Sequence, residues 1–222
     1  MKLRLIKKVK EAKGTASFFW QTEKEVRYLP GQYFYFTLPK LDFSDPRGAT
    51  RHFTLSSSPT EKDTIRCTTR IREESGFKKT LDALPIGSEI EGEGPNGTFI
   101  LDDNEKGPHI FLAGGIGITP FRSMIKYNID KNLKIAMHLI YSNSDSDFAF
   151  KKDLDGWKND YIKIEYVDTA KEGRINEDKL NHFISSTFWV VGPPPFVDAM
   201  EDTLGKLGVV SVKIRVEKFT GY

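Results

Sequence analysis

Two short stretches carry the side chains best suited to chemistry. RHFTLSSSP, from Arg51 to Pro59, puts a guanidinium, aromatic rings and hydroxyls on one run, and AGGIGITP, from Ala113 to Pro120, puts glycines ahead of an apolar stretch. Alternate residues of a strand share a face, so Arg51 and Phe53 fall on one side and His52 and Thr54 on the other. A flavin needs groups of these kinds: a cation for its phosphate, an apolar surface for its ring, and hydrogen-bond partners near N5. A surface arginine beside a core phenylalanine would look the same by composition.

In the second stretch, Gly115, Ile116 and Gly117 let the backbone approach a pyrophosphate, and the helix start offers unpaired N–H groups to it. Thr119 is placed to cap that helix, and Pro120 in its first turn needs no N–H. The motif is not Gly-x-Gly-x-x-Gly, and the next apolar run, KIAMHLIYSN, ends in Ser142 and Asn143 with no ribose-binding acid. An ordinary dinucleotide-dependent dehydrogenase is thereby disfavoured. A second glycine turn, VVGPPPFVDAM, repeats the arrangement with Gly192 and Pro193.

The elements that must position these groups follow two rhythms. From Leu3 to Leu101 the runs LRLIKKV, ASFFWQT, QYFYFTL, RHFTLSS, TIRCTTRI, EIEGEG and TFIL are short, alternating or aromatic, and separated by Pro-Gly, Asp-Pro, Ser-Pro and Pro-Asn-Gly turns. They predict a small antiparallel barrel. One interruption, Gly76 to Leu84, has helical spacing. After Gly107 apolar strands alternate with amphipathic helices: HIFLAGG with TPFRSMIKYNI, KIAMHLIYS with FAFKKDLDGW, IKIEYVD with NEDKLNHFI, FWVVGPP with FVDAMEDTLGKLG, then SVKIRVEKF. That pattern predicts a parallel sheet covered on both faces. The expected organisation is an N-terminal β-barrel domain over 1–103 and a C-terminal α/β nucleotide-binding domain over 107–222.

Composition removes other classes. The 222 residues hold 33 basic and 31 acidic side chains, a net charge of +2, with no single-sign field to attract nucleic acid. The single cysteine, Cys67, cannot make an internal disulfide or hold an iron–sulfur cluster. His52, His109, His138 and His182 are too scattered for a metal pair, so no metal is expected. No apolar run approaches a membrane span or signal peptide, which predicts a soluble cytoplasmic protein, expected as a monomer.

The order PGQY, RHFTLSS, SGFKKTL, GPNGTF, AGGIGITPF, YSN, GRI, VVGPPPFVDAM and EKFTGY resembles the ferredoxin-NADP reductase superfamily over nearly the whole chain. The resemblance implies that Arg51 holds the flavin phosphate, Phe53 packs on the ring in place of the commoner Tyr, and Thr54 lies near N5, with His52 beside them. It implies a flavin-phosphate turn at Gly76, Phe77, Lys78 and Thr80. It assigns Gly115, Ile116, Gly117, Thr119 and Pro120 to one nicotinamide-dinucleotide loop and Gly192 and Pro193 to a second, where Val191 replaces the usual Cys. Thr54 and Glu217 are the implied catalytic residues, and either Phe219 or Tyr222 covers the flavin.

The implied cofactor is FAD, with FMN also compatible, and the co-substrate is NADH or NADPH. Ser142, Asn143 and the acids Asp145 and Asp147 tilt the reading to NADH, although Arg174 could reach a 2′-phosphate. The implied acceptor is separate: ferredoxin, flavodoxin, an oxygenase component or free flavin. A non-catalytic docking subunit of a larger redox complex is the competing expectation.

Overall fold

The computed structural model describes residues 1–62 and 64–220. In the N-terminal half, β1 (Lys2–Ala12), β2 (Thr15–Thr22), β3 (Tyr33–Thr37), β4 (Thr50–Thr54), β5 (Thr64–Arg70) and β6 (Glu89–Asn96) form one antiparallel sheet of order β4-β3-β6-β1-β2-β5. Alternation sends Leu3 and Leu5, Phe18 and Trp20, and Phe34 and Phe36 into a common interior. The sheet edges meet where Leu55 bridges Cys67 and the Ser56 N–H donates to the Arg66 carbonyl at 2.8 Å. This brings the two edges of the expected barrel together. Helix α1 (Gly76–Ala83) plugs one end with Phe77 and Leu81.

The second sheet is parallel throughout: β7 (His109–Gly114), β8 (Met137–Asn143), β9 (Ile162–Asp168), β10 (Thr187–Gly192) and β11 (Ile214–Lys218), in the order β11-β10-β7-β8-β9. Both faces are buried. On β7, Phe111 and Ala113 enter one core with α2 (Ile118–Asp130) and α3 (Lys151–Gly156). Ile110 and Leu112 enter the other with α5 (Glu177–Leu180) and α6 (Pro194–Lys206). A short α4 (Thr169–Glu172) follows β9. Strand order reverses between β7 and β10, so the crevice at their carboxyl ends is where such a sheet binds ligands.

Four local expectations need correction. TFIL forms no strand; Phe99 and Leu101 instead pack into the α/β core, where the Phe99 ring stands 5.0 Å from Trp189. FAFKKDLDGW is helical only from Lys151, because Phe148, Ala149 and Phe150 are held as a buried turn with Phe150 at φ 62°. NEDKLNHFI gives one α-turn and then a 3₁₀ turn. Thr119 does not cap α2: the helix begins at Ile118 after Gly117, and the Thr119 hydroxyl donates to the Ile116 carbonyl at 3.2 Å. Pro120 does sit in the first turn.

Two buried arginines fix the halves against each other. Arg122 of α2 donates to the Ser56 carbonyl (2.6 Å), to both Glu61 oxygens (2.9 and 3.2 Å) and to Asp153 (3.0 Å). Arg66 of β5 pairs with Glu11 and donates to the Ser17 hydroxyl, and both guanidinium groups lie over the Phe150 ring. Charges this deep persist only because each has several partners.

Candidate active site

The carboxyl ends of β7 and β10 face the end of β4, and an open cleft of about 590 Å³ lies between them. Arg51, His52, Phe53, Thr54, Thr68 and Thr69 line it from the barrel. Ile116, Thr119, Glu217 and Phe219 line it from the α/β half.

On the barrel side, Phe53 tilts against Phe36 and Phe77 and presents part of its ring to the cleft. Thr54 is buried at the strand end. His52 is on the opposite face of β4, against Tyr33 and Tyr35, as alternation requires. Arg51 shares the Phe53 face, with its guanidinium 5.3 Å from the Phe77 ring centre.

Arg51 points to the N-terminus of α1. There Ser75 caps the helix by accepting from the Lys78 N–H, and the Phe77 N–H faces outward with the Arg51 guanidinium beside it. The fit for a phosphate is visible in what the seat already binds: the Asp45 carboxylate. It accepts from Arg51 (2.5 Å), the Phe77 N–H (2.9 Å) and the Ser75 hydroxyl (3.2 Å). Burial alone would raise the Asp45 carboxyl, but the N–H groups of Phe77 and Arg47, the Arg51 charge and Ser75 outweigh it and hold it below the ordinary range.

Gly76 is required by the loop above it, since a Cβ there would stand 2.2 Å from the Ser44 carbonyl oxygen. Lys78 is buried, its ammonium pushed down to about 8 by burial, with the Arg72 and Arg51 charges adding to it. The Thr80 hydroxyl is not at the seat. It donates to the Gly76 carbonyl and accepts from the Asp42 N–H at 3.1 Å, tying down the β3–β4 loop.

On the opposite wall, Gly115 takes φ +55° and Gly117 lies against β10, where a Cβ would be 2.2 Å from the Val191 oxygen. A side chain at Gly117 would therefore collide with the end of β10. The second loop runs through Gly192 and Pro193 into α6, and the Phe219 N–H donates to the Gly192 carbonyl at 2.9 Å. That bond holds Phe219 over the cleft; Tyr222 lies outside the described residues. Glu217 is pushed up to about 7 by burial, and its Oε2 has no hydrogen-bond partner among the described residues.

Ser142 and Asn143 end β8 next to Gly115. Arg174 is exposed beyond β9, the sheet edge, and is not in the crevice beside Asn143. Arg70, the last residue of β5, is the basic side chain that stands there, donating to the Asn143 Oδ1 at 2.8 Å and passing close to Gly115. Its only sequence signal is a basic residue closing a strand.

Residues 2–100 match the family described as Oxidoreductase FAD-binding domain, and residues 111–202 match Oxidoreductase NAD-binding domain. The chain belongs to the ferredoxin-NADP reductase superfamily.

Within that superfamily it is 26% identical to Flavohemoprotein A of Dictyostelium discoideum, over 96% of this chain and 58% of that protein. The chain thus spans a little over half of that relative's length. The fold is shared with a flavohemoglobin from Malassezia yamatoensis solved with FAD and heme (TM-score 0.83, 18% identity, 98% of this chain, 59% of that one). It is shared too with the cytochrome b5 reductase domain of Ulva prolifera nitrate reductase (TM-score 0.82, 21% identity, 97% and 96%). No described helix is long and apolar enough to cross a membrane.

Proposed function

We propose that this superfamily member is an NAD(P)H-dependent reductase module that passes electrons from a reduced nicotinamide through FAD to a separate acceptor. The observation that carries the reading is the single cleft into which Thr54 and Phe53 of the barrel and Ile116, Thr119, Glu217 and Phe219 of the α/β half all project. FAD, when bound, supplies a two-electron acceptor that can release electrons one at a time. The protein's part is positioning.

In this reading Phe53 and Phe219 bracket the ring region, and Thr54 offers a hydroxyl to it. The anion seat of Arg51, Ser75 and the Phe77 N–H takes phosphate. The Gly115 turn and the Gly192 loop hold the dinucleotide so that its nicotinamide enters beside Phe219. Glu217, with a carboxyl near neutrality, can hold or release one proton at the cleft at working pH. Asn143 donates to Asp145, and Asp147 is adjacent, so a 2′-phosphate would meet like charge; NADH is the favoured co-substrate.

Anaerobic titration of the FAD-loaded protein with NADH and NADPH tests this. Bleaching of the flavin band by NADH at lower concentration than NADPH is expected. A protein that binds FAD yet is bleached by neither is not a reductase.

A further inference from the structure

The barrel's anion seat is filled from within the chain. Asp45 comes from the β3–β4 loop, and its carboxylate takes the donors that a flavin phosphate would need: Arg51, the Ser75 hydroxyl and the Phe77 N–H at the start of α1. The other terminal nitrogen of Arg51, Nη1, is also committed, donating to the carbonyls of Arg47 (2.9 Å), Gly48 (3.1 Å) and Thr50 (2.7 Å). The Asp45 and Arg51 side chains keep 4% and 10% of their surface exposed. This is therefore an inward-facing pair and not a surface contact. The loop is fastened from below as well, through Thr80 to the Asp42 N–H and through Gly76 against Ser44.

We propose that Asp45 is a built-in competitor for the flavin phosphate, which makes it the residue that sets selectivity among flavins. The inference rests on the reading of the cleft as a flavin site. A phosphorylated flavin must displace a carboxylate that already has four donors, the Arg47 N–H being the fourth, so it exchanges one anion for another and gains little from the seat. Riboflavin, lacking phosphate, leaves the Asp45–Arg51 pair in place and binds through its ring alone. The wild-type protein thus separates riboflavin, FMN and FAD weakly. Removing the carboxylate frees Arg51, Ser75 and the helix N–H for phosphate while the ring contacts at Phe53, Thr54 and Phe219 stay as they are.

The test is equilibrium binding of riboflavin, FMN and FAD to flavin-free protein, followed by flavin fluorescence, for wild type, Asp45→Ala and Asp45→Asn. The expected result is affinities within about tenfold of one another in wild type. Asp45→Ala should strengthen FMN and FAD by about tenfold or more and leave riboflavin unchanged, since a charge-assisted hydrogen bond becomes available to phosphate. A double variant with Arg51→Ala should lose that gain. If Asp45→Ala does not fold, Asp45→Asn, which keeps an acceptor for the Phe77 N–H but no charge, should show the same direction.

FMN and FAD affinities that stay the same or fall on neutralising Asp45, with riboflavin binding intact, would overturn the proposal and leave the flavin reading standing. Failure of every flavin to bind every folded variant would bring down the flavin reading itself.

Discussion

Glu217→Gln isolates the most perturbed acid in the cleft. The Glu217 carboxyl is moved by burial from an ordinary 4.5 to about 7. At about 1.4 kcal/mol for each pH unit, full desolvation of the charge in the native state costs at most about 3.5 kcal/mol; solvent reaching the open cleft lowers that bound. The folded protein holds the Glu217 proton more tightly than the unfolded chain does. Between pH 4.5 and about 7 the native state therefore carries more protons at this site, and its stability falls as pH rises through that window, then levels off.

Glutamine has the same shape and no charge. Urea unfolding of flavin-free wild type and Glu217→Gln at several pH values from 4.5 to 8 subtracts the other carboxylates, which titrate in both. The stability difference should change in favour of the variant by up to about 3.5 kcal/mol across the window. A difference independent of pH would refute the placement of an unpartnered, desolvated carboxyl in this cleft.

Other outcomes follow from the same geometry. Arg51→Ala should weaken FAD far more than riboflavin, because Asp45 would then leave an uncompensated negative charge at the seat; equal losses in fluorescence titration would count against the assignment. Arg122→Ala strips partners from Glu61 and Asp153 at the interdomain contact and should cost about 3–5 kcal/mol in urea unfolding, the usual effect of breaking a buried pair; a cost below about 1 kcal/mol would mean the contact is solvated. Arg70→Ala should raise the KM for NADH and leave FAD content unchanged, and steady-state kinetics beside the visible spectrum reads both. Gly117→Ala drives a Cβ into the Val191 carbonyl and should destabilise by about 1–3 kcal/mol, seen as a lower Tm.

The barrel and the parallel sheet could be read from the sequence because their periods differ. QYFYFTL alternates and FWVV does not, and each pattern follows directly from one buried face or two. The glycine turns were readable for the same local reason. What escaped was set by contacts distant in sequence. Thr119 fits a cap by type, yet the turn through Gly115–Gly117 starts the helix two residues earlier. Thr80 fits a phosphate turn, yet its hydroxyl is taken by a loop 38 residues away.

Arg70 and Asp45 carry no local signature at all. The first becomes relevant only when the barrel docks on β8, and the second only when the β3–β4 loop folds over α1. Glu217 was reachable through family likeness, but its shifted titration depends on the burial that β11 acquires beside β10.

Phe99 and Leu101 belong by chain position to the barrel and by packing to the neighbouring core. Anyone grafting this electron-transfer unit onto another redox protein, or exchanging one half for a homologue's, should therefore not cut at the polar stretch near 103–107. A junction there would strand two apolar side chains without their aromatic neighbours. A seam just after Asn96 would let them travel with Trp189 and Phe121, and recombinants joined at that point should remain monodisperse where the others clump.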